Sequence, residues 1–173
     1  MNEISIRKLE RGDYEEFARL RTNALKTDPT SFWNTVEEES PGMAKRFAER
    51  VIQENNFTLG AFIDSEMVGM MAFVRQSLNK LRHRGDIYGV YVHPEHRGKG
   101  ISSLLLSQTL DQAFAQTGLT KVMLTVTDGN TAAKALYEKY GFISFGTEEN
   151  GMVVEGIAYA QHHMQIAKED WIE

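Results

Sequence analysis

The chain has 173 residues, 42% of them hydrophobic and 25% charged, with 19 Lys and Arg against 24 Asp and Glu for a formal net charge of −5. That length suits one domain, 1–173, with a core of its own, and the acidic balance argues against nucleic acid as a partner, since sequence-independent binding depends on many Lys and Arg contacts to phosphate. Cysteine is absent, which removes disulfides, thiolate metal sites and thiol nucleophiles. Of the five histidines, His162 and His163 are adjacent and the others lie in different surroundings, so no metal is expected. No leader or membrane span is read, giving a cytoplasmic protein with no membrane partner as the expectation.

Ile4, Ile6 and Leu9 with polar residues between them predict a first strand over residues 2–8. Asp13 followed by Glu16 signals a helix start, and Phe17, Leu20, Ala24 and Leu25 line one face of a helix reaching about Lys26. Thr27-Asp28-Pro29-Thr30 breaks it. The stretch Ser31 to Glu39 joins Phe32 and Trp33 to three carboxylates. It reads either as the mouth of a site for a cationic amine or as a solvated approach with its aromatics packed inward. Ser40-Pro41 is expected to start the next helix, with serine as cap, and Met43, Phe47, Val51 and Ile52 as its buried stripe.

Two strands come next, 57–64 and 67–77, around Asp64-Ser65-Glu66. Met67 to Val74 is apolar enough for a central strand covered on both faces, with its methionines as core. Leu78 to Arg84 reads as a solvated basic loop. Residues 86–92 form the next strand, and Gly89 in its interior points to a bulge or a close backbone approach. A helix over 98–116 buries Ile101, Leu105, Leu106, Leu110, Ala113 and Phe114 and is closed by Gly118. Val122, Leu124 and Val126 make a fifth strand; Asp128-Gly129-Asn130 turns into a short helix carrying Ala133, Leu136, Tyr137 and Tyr140, ended by Gly141. Two last strands lie near 142–148 and 155–166. The order is that of an α+β domain with mixed strand directions.

One stretch carries chemistry: Val90-Tyr91-Val92-His93-Pro94-Glu95-His96-Arg97-Gly98-Lys99-Gly100-Ile101-Ser102. An apolar strand runs through a basic, glycine-rich turn into an amphipathic helix. The first N–H groups of a helix lack internal acceptors, and the helix dipole adds positive potential there. Gly98 and Gly100 permit close backbone approach, and Arg97 and Lys99 add full charges. The expected ligand is a phosphate or pyrophosphate. The P-loop is excluded because Gly100 follows Lys99, and the dinucleotide fingerprint because Ser103 replaces its third glycine.

Arg97-Gly98-Lys99-Gly100-Ile101-Ser102 resembles the Arg/Gln-x-x-Gly-x-Gly/Ala signature of the GNAT superfamily of acetyl-CoA-dependent N-acetyltransferases. Asn130 to Phe142 resembles that family's second block, Asn-x-x-Ala-x-x-Leu-Tyr-x-x-x-Gly-Phe, in the right order and spacing. The resemblance implies a single-domain α+β fold, with a central, mixed but mostly antiparallel sheet of about seven strands. It implies about four flanking helices and a fourth and fifth strand that splay apart. It implies acetyl-CoA as cosubstrate, with the pantetheine arm paired to the backbone of Val90, Tyr91 and Val92. The pyrophosphate would lie on the N–H groups of Arg97, Gly98, Lys99, Gly100, Ile101, Ser102 and Ser103 and on the Arg97 side chain. Asn130 would contact the pantetheine, and Tyr137 would act as general acid toward the thiolate. The oxyanion donor would be a backbone N–H, that of Val92 being favoured.

Two departures stand out. Ser102 replaces the usual glycine or alanine, and Tyr88 stands where many relatives carry a glutamate base. Asp86, two residues back and on the same strand face, is the substitute expected here, with Glu39, His83 or a water chain as alternatives. The implied reaction is acetyl transfer to a primary amine of a small molecule or an exposed protein amine, by direct attack in a ternary complex. A non-catalytic acetyl-CoA or CoA sensor is the alternative. The oligomeric state is open, a homodimer included.

Overall fold

The computed structural model describes residues 3–172. The elements are β1 (Ile4–Lys8), α1 (Tyr14–Thr27), α2 (Val36–Glu39), α3 (Met43–Val51), β2 (Phe57–Ile63), β3 (Glu66–Arg75), β4 (Arg84–Val92), α4 (Ile101–Phe114), β5 (Lys121–Thr127), α5 (Thr131–Lys139), β6 (Ile143–Val154) and β7 (Ile157–Ala167). All seven strands join one sheet in the order β1-β2-β3-β4-β5-β7-β6. Every neighbouring pair is antiparallel except β4 and β5, which are parallel. Four longer helices and the single-turn α2 flank it, as the α+β expectation has it. No helix among the described residues is long and apolar enough to cross a membrane.

The sheet separates two cores. One holds Leu105, Leu106 and Leu110 of α4, each fully buried, against Leu59, Met71 and Phe73. The other joins Phe17, Leu20 and Ala24 of α1 and Phe47 of α3 to Met67, Met70 and Tyr91. β3 is therefore covered on both faces, as its unbroken apolar run predicts, and its methionines are core.

Three local expectations give way. α3 does not start at Ser40-Pro41: Ser40 ends α2, its N–H on the Val36 carbonyl at 2.9 Å, and α3 begins after Gly42 at φ 75°. The start signal lies earlier, in Thr35-x-x-Glu38, where Thr35 Oγ1 accepts from the Glu38 N–H at 3.3 Å and Glu38 accepts from the Thr35 N–H at 2.8 Å. Asp13 precedes α1 but makes no cap bond; its carboxylate takes both Arg7 amino groups at 2.7 Å and the Glu10 N–H at 2.7 Å, tying β1 to the helix start. β6 runs to Val154 rather than stopping near 148, because pairing with β7 breaks register after Glu148 and resumes from Met152 to Val154, opposite Tyr159 to Ile157. The expected first strand reaches back to Asn2, which lies outside the described residues.

β4 carries the irregularity that opens the sheet. Met70 pairs with Tyr91 but Ala72 with Tyr88, so Met71 alone faces Gly89 and Val90. This is the bulge expected at Gly89, whose φ of 61° favours glycine. β4 pairs with β5 only over Arg84–Asp86 against Lys121–Met123. Beyond those residues the two strands separate, and a gap opens between them.

Candidate active site

Strand alternation decides which main-chain groups reach that gap. The His93 N–H donates to the Val68 carbonyl at 2.8 Å, so His93 faces β3, and so does Tyr91, two residues earlier and opposite Met70. Val92 between them faces outward, where its carbonyl accepts from Arg97 Nε at 2.9 Å. Its N–H points the same way, and the same alternation turns Val90 outward. Tyr91, expected to offer backbone beside them, instead spends its main chain on β3, and its hydroxyl lies 2.9 Å from Thr27 Oγ1.

The turn after β4 builds an amide-lined mouth. Gly98 and Gly100 take φ of 76° and 78°, and a Cβ on either would meet nothing within 4 Å. The first bond into α4 runs from the Leu104 N–H to the Gly100 carbonyl at 3.1 Å, so the amides of Ile101, Ser102 and Ser103 have no acceptor within the helix. Two expected donors differ. The Arg97 N–H is held by the Pro94 carbonyl at 3.2 Å, and the Arg97 guanidinium rests on the Val92 carbonyl and on Asp28, 2.7 Å away. The Lys99 ammonium turns to His96 Nδ1 at 3.4 Å, leaving its backbone for the turn. His93, Glu95 and His96 come together more closely than their sequence spacing suggests, with donor atoms within 4.8 Å of one another. The Lys99 cation beside His96 and the Glu95 N–H on His93 Nδ1, 3.4 Å away, make this a poor place for a metal ion.

A cavity of about 350 Å³ runs from this mouth, past Val90 and Val92, to Asn130 and Tyr137 of the second block. Asn130 caps α5, its Oδ1 accepting from the Ala133 N–H at 3.2 Å, while its Nδ2 lies 3.5 Å from Ser31 Oγ. Tyr137 is buried, and its ring lies 5.7 Å from that of Phe142. Burial pushes its phenol well above the usual tyrosine range.

A second cavity, about 530 Å³, opens on the face of α1 and α3. Ser31, Val90, Asn130, Ala133 and Tyr137 line both, so the two spaces meet through the gap between β4 and β5. Asp86 lines the second cavity and accepts from Gln76 Nε2 at 2.6 Å. It sits four residues before Val90, roughly 13 Å along the strand. Tyr88, on the same wall, has its phenol pushed up by burial and then by Asp86, so it stays protonated. His83 lines neither cavity; its carbonyl joins the Thr120 N–H at 2.8 Å at the opposite end of β4. Glu39 is held by Arg21 at 2.6 Å, so the carboxylate run does not present a free acid there.

Three arginines in the second cavity, Arg21, Arg46 and Arg50, are not among the expected site residues. The sequence carries a signal for two of them. Arg21 falls at i+4 from Phe17 and Arg50 at i+3 from Phe47, on stripes that should be apolar.

The model of the Acetyltransferase (GNAT) family matches residues 16–142 of this chain. The chain belongs to that family. It is 28% identical to spermidine N(1)-acetyltransferase of Vibrio cholerae over 84% of this chain and 82% of that protein. It is 28% identical to the L-amino acid N-acetyltransferase AaaT of Escherichia coli over 85% of this chain and 87% of that one. Among solved structures it resembles a GNAT-family acetyltransferase from Streptococcus pneumoniae, with a TM-score of 0.84 and 28% identity, covering 95% of this chain and 99% of that chain. As in that family, this GNAT chain is an acyltransferase whose cosubstrate is acetyl-CoA.

Proposed function

We infer that this GNAT enzyme moves the acetyl group of acetyl-CoA to a primary amine held in the second cavity, by direct attack in a ternary complex. The observation that carries the reading is the meeting of the two cavities at Val90, Asn130, Ala133 and Tyr137. A thioester threaded from one side meets a nitrogen entering from the other, and most of the gain is positional. The amides of Gly98, Lys99, Gly100, Ile101, Ser102 and Ser103 take the pyrophosphate at the start of α4. The pantetheine amides pair with Val90 and Val92, and Asn130 Nδ2 supports the arm.

The Val92 N–H is the donor aimed at the carbonyl oxygen as it becomes negative. Tyr137 faces the departing sulfur. Its buried phenol is a weaker acid than a free thiol of pKa about 8.5, so outright proton transfer to the thiolate is uphill. Tyr137 therefore stabilises the leaving sulfur by donating a hydrogen bond, and the proton comes from the tetrahedral ammonium. A separate, earlier proton must leave the acceptor ammonium before it can attack; Asp86 stands too far along β4 to take it directly and instead ends a water chain through the second cavity that carries it away. The open passage between cavities favours turnover over a sensor that only binds the nucleotide.

The relatives take different amines, one a polyamine and one an L-amino acid, and the second cavity here suits a small amine. Release of free CoA from acetyl-CoA across an amine panel tests the reading. Turnover with any amine supports it. Tight acetyl-CoA binding with no turnover across the panel replaces it with the sensor.

A further inference from the structure

The second cavity has a cationic wall that acetyl transfer does not itself require. Three arginines line it against two carboxylates, Glu39 and Asp86. Glu39 holds Arg21 in a bidentate pair, Oε1 on Nε and Oε2 on Nη2, each at 2.6 Å. The pair is mostly buried, with 12% and 14% of the two side chains exposed. The guanidinium also lies over the Phe32 ring, 4.7 Å from its centre. Arg21 is thus fixed in place, yet its Nη1 is buried and has no hydrogen-bond partner. A buried guanidinium N–H left unmade is costly, so the site is incomplete as it stands. Arg50, half-buried in the same wall, makes no hydrogen bond or ion pair through its side chain among the described residues. Burial, then the neighbouring Arg21 charge, holds its pKa below the usual arginine value. Arg46 is spent on the carbonyls of Pro41 and Glu39.

Position gives this surplus charge a meaning. Arg21 Nη1 lies 3.8 Å from where a Cβ on Gly89 would sit. Gly89 adjoins Val90, part of the wall shared by the two cavities. The free Nη1 of Arg21 therefore lies beside the place where the acceptor nitrogen meets the acetyl carbon, with Arg50 on the same cavity wall. An α-amino acid carries its carboxylate one carbon from its amine, which matches that placement. A polyamine would bring further positive charge against Arg21 and Arg50, and a peptide N-terminus carries a neutral amide where the carboxylate should be.

We propose that Arg21 and Arg50 form a carboxylate subsite that selects a free α-amino acid as the acceptor, its carboxylate on Arg21 Nη1 and the Arg50 guanidinium and its amine at the cavity junction. Phe32, Trp33 and Met70 then face its side chain. The proposal rests on the acetyl-transfer reading.

The test compares free L-amino acids, the matching amino-acid primary amides and spermidine in steady-state CoA release, with acetyl-CoA affinity followed by calorimetry. Acids should exceed their amides in kcat/KM by about ten- to a hundredfold, the scale of one hydrogen bond to a charged group. Arg50→Met should erase most of that ratio through KM, with thermal stability kept or raised because the residue has no partner to lose. Arg21→Lys keeps a cation beside Glu39 but lacks the Nη1 fork, and should also reduce the ratio while acetyl-CoA binds as before. Equal use of acids and amides, a preference for spermidine, or an unchanged ratio in both variants overturns the carboxylate subsite and leaves acetyl transfer standing. Binding of acetyl-CoA with no turnover of any amine overturns the transfer reading and this one with it.

Discussion

In the proposed reaction, Gly100 and Tyr137 serve the donor side in different ways. At Gly100 a side chain would find empty space in the free protein, so Gly100→Glu should fold, less stable by about 1 kcal/mol for a side chain at positive φ. Its carboxylate would stand where the pyrophosphate belongs, and acetyl-CoA affinity should fall by about a hundredfold or more in calorimetry, since it repels the pyrophosphate and competes with it for the same amides. Tyr137→Phe should instead leave that affinity nearly intact and lower kcat by roughly ten- to a hundredfold, the scale of one lost hydrogen bond in a transition state. The same residue predicts a pH effect. Its folded pKa lies above the unfolded value of about 10, so the unfolded chain loses this proton first. The stabilisation from the neutral phenol is complete below pH ~10 and is lost as pH rises beyond it. Thermal melting of the wild type should therefore fall more steeply above that pH than melting of Tyr137→Phe. These residues are readable in the sequence because their types follow from their tasks: glycine where backbone must be bare, and tyrosine at a fixed interval after the capping asparagine.

Elements are legible where an apolar period is unbroken and obscure where backbone pairing or polar contacts take over. The sequence places α4 to within a turn because Ile101, Leu105, Leu106 and Leu110 keep one face, and all lie in the core. That burial predicts the cost of breaking it: Leu106→Ala should lose about 2–5 kcal/mol in denaturant unfolding, from lost transfer energy and the cavity left behind. The second half of β6 escapes a sequence reading because the polar stretch Glu148-Glu149-Asn150-Gly151 has the composition of a turn, and only the pairing of Met152 to Val154 with β7 beyond it marks the strand as continuing. α2 and the start of α3 are obscured because Ser40-Pro41 has the composition of a helix start, while the side chains that cap lie five residues earlier in Thr35-x-x-Glu38. Arg21 of α1 and Arg50 of α3 are hidden for a related reason. Each sits on a stripe whose other members are buried apolar residues, and periodicity alone treats such a residue as an interruption. In the structure those interruptions line the wall of the second cavity.

At the scale of the whole molecule, the donor half of the site is local in sequence and the acceptor half is not. The amide turn and the second block are short continuous segments. The second cavity is assembled from α1, α2, α3, β2, β3, β4, β5, α5 and β7, and no spacing rule connects residues so far apart. Both halves meet at the gap in the sheet, and one extra residue lies at its edge. Gly89 is that residue: it shares the place opposite Met71 with Val90 and bends β4 just beyond its three pairs with β5. Deleting Gly89 would put Val90 alone opposite Met71 and leave Tyr91 opposite Met70, so the register on either side survives. Val92 would still face outward, but along a straighter strand that continues to pair with β5. The expected protein is folded, with a stability within about 1 kcal/mol of the original because the core faces of β4 are unchanged. Its Val90 and Val92 amides should gain hydrogen-exchange protection as the parallel ladder extends. Acetyl-CoA affinity should weaken by at least about tenfold and kcat by a hundredfold or more, because the arm loses its backbone partners and the two cavities lose their junction. A deletion variant that folds, binds acetyl-CoA normally and turns over at the wild-type rate would show that the passage between the cavities is held open by something other than this bulge.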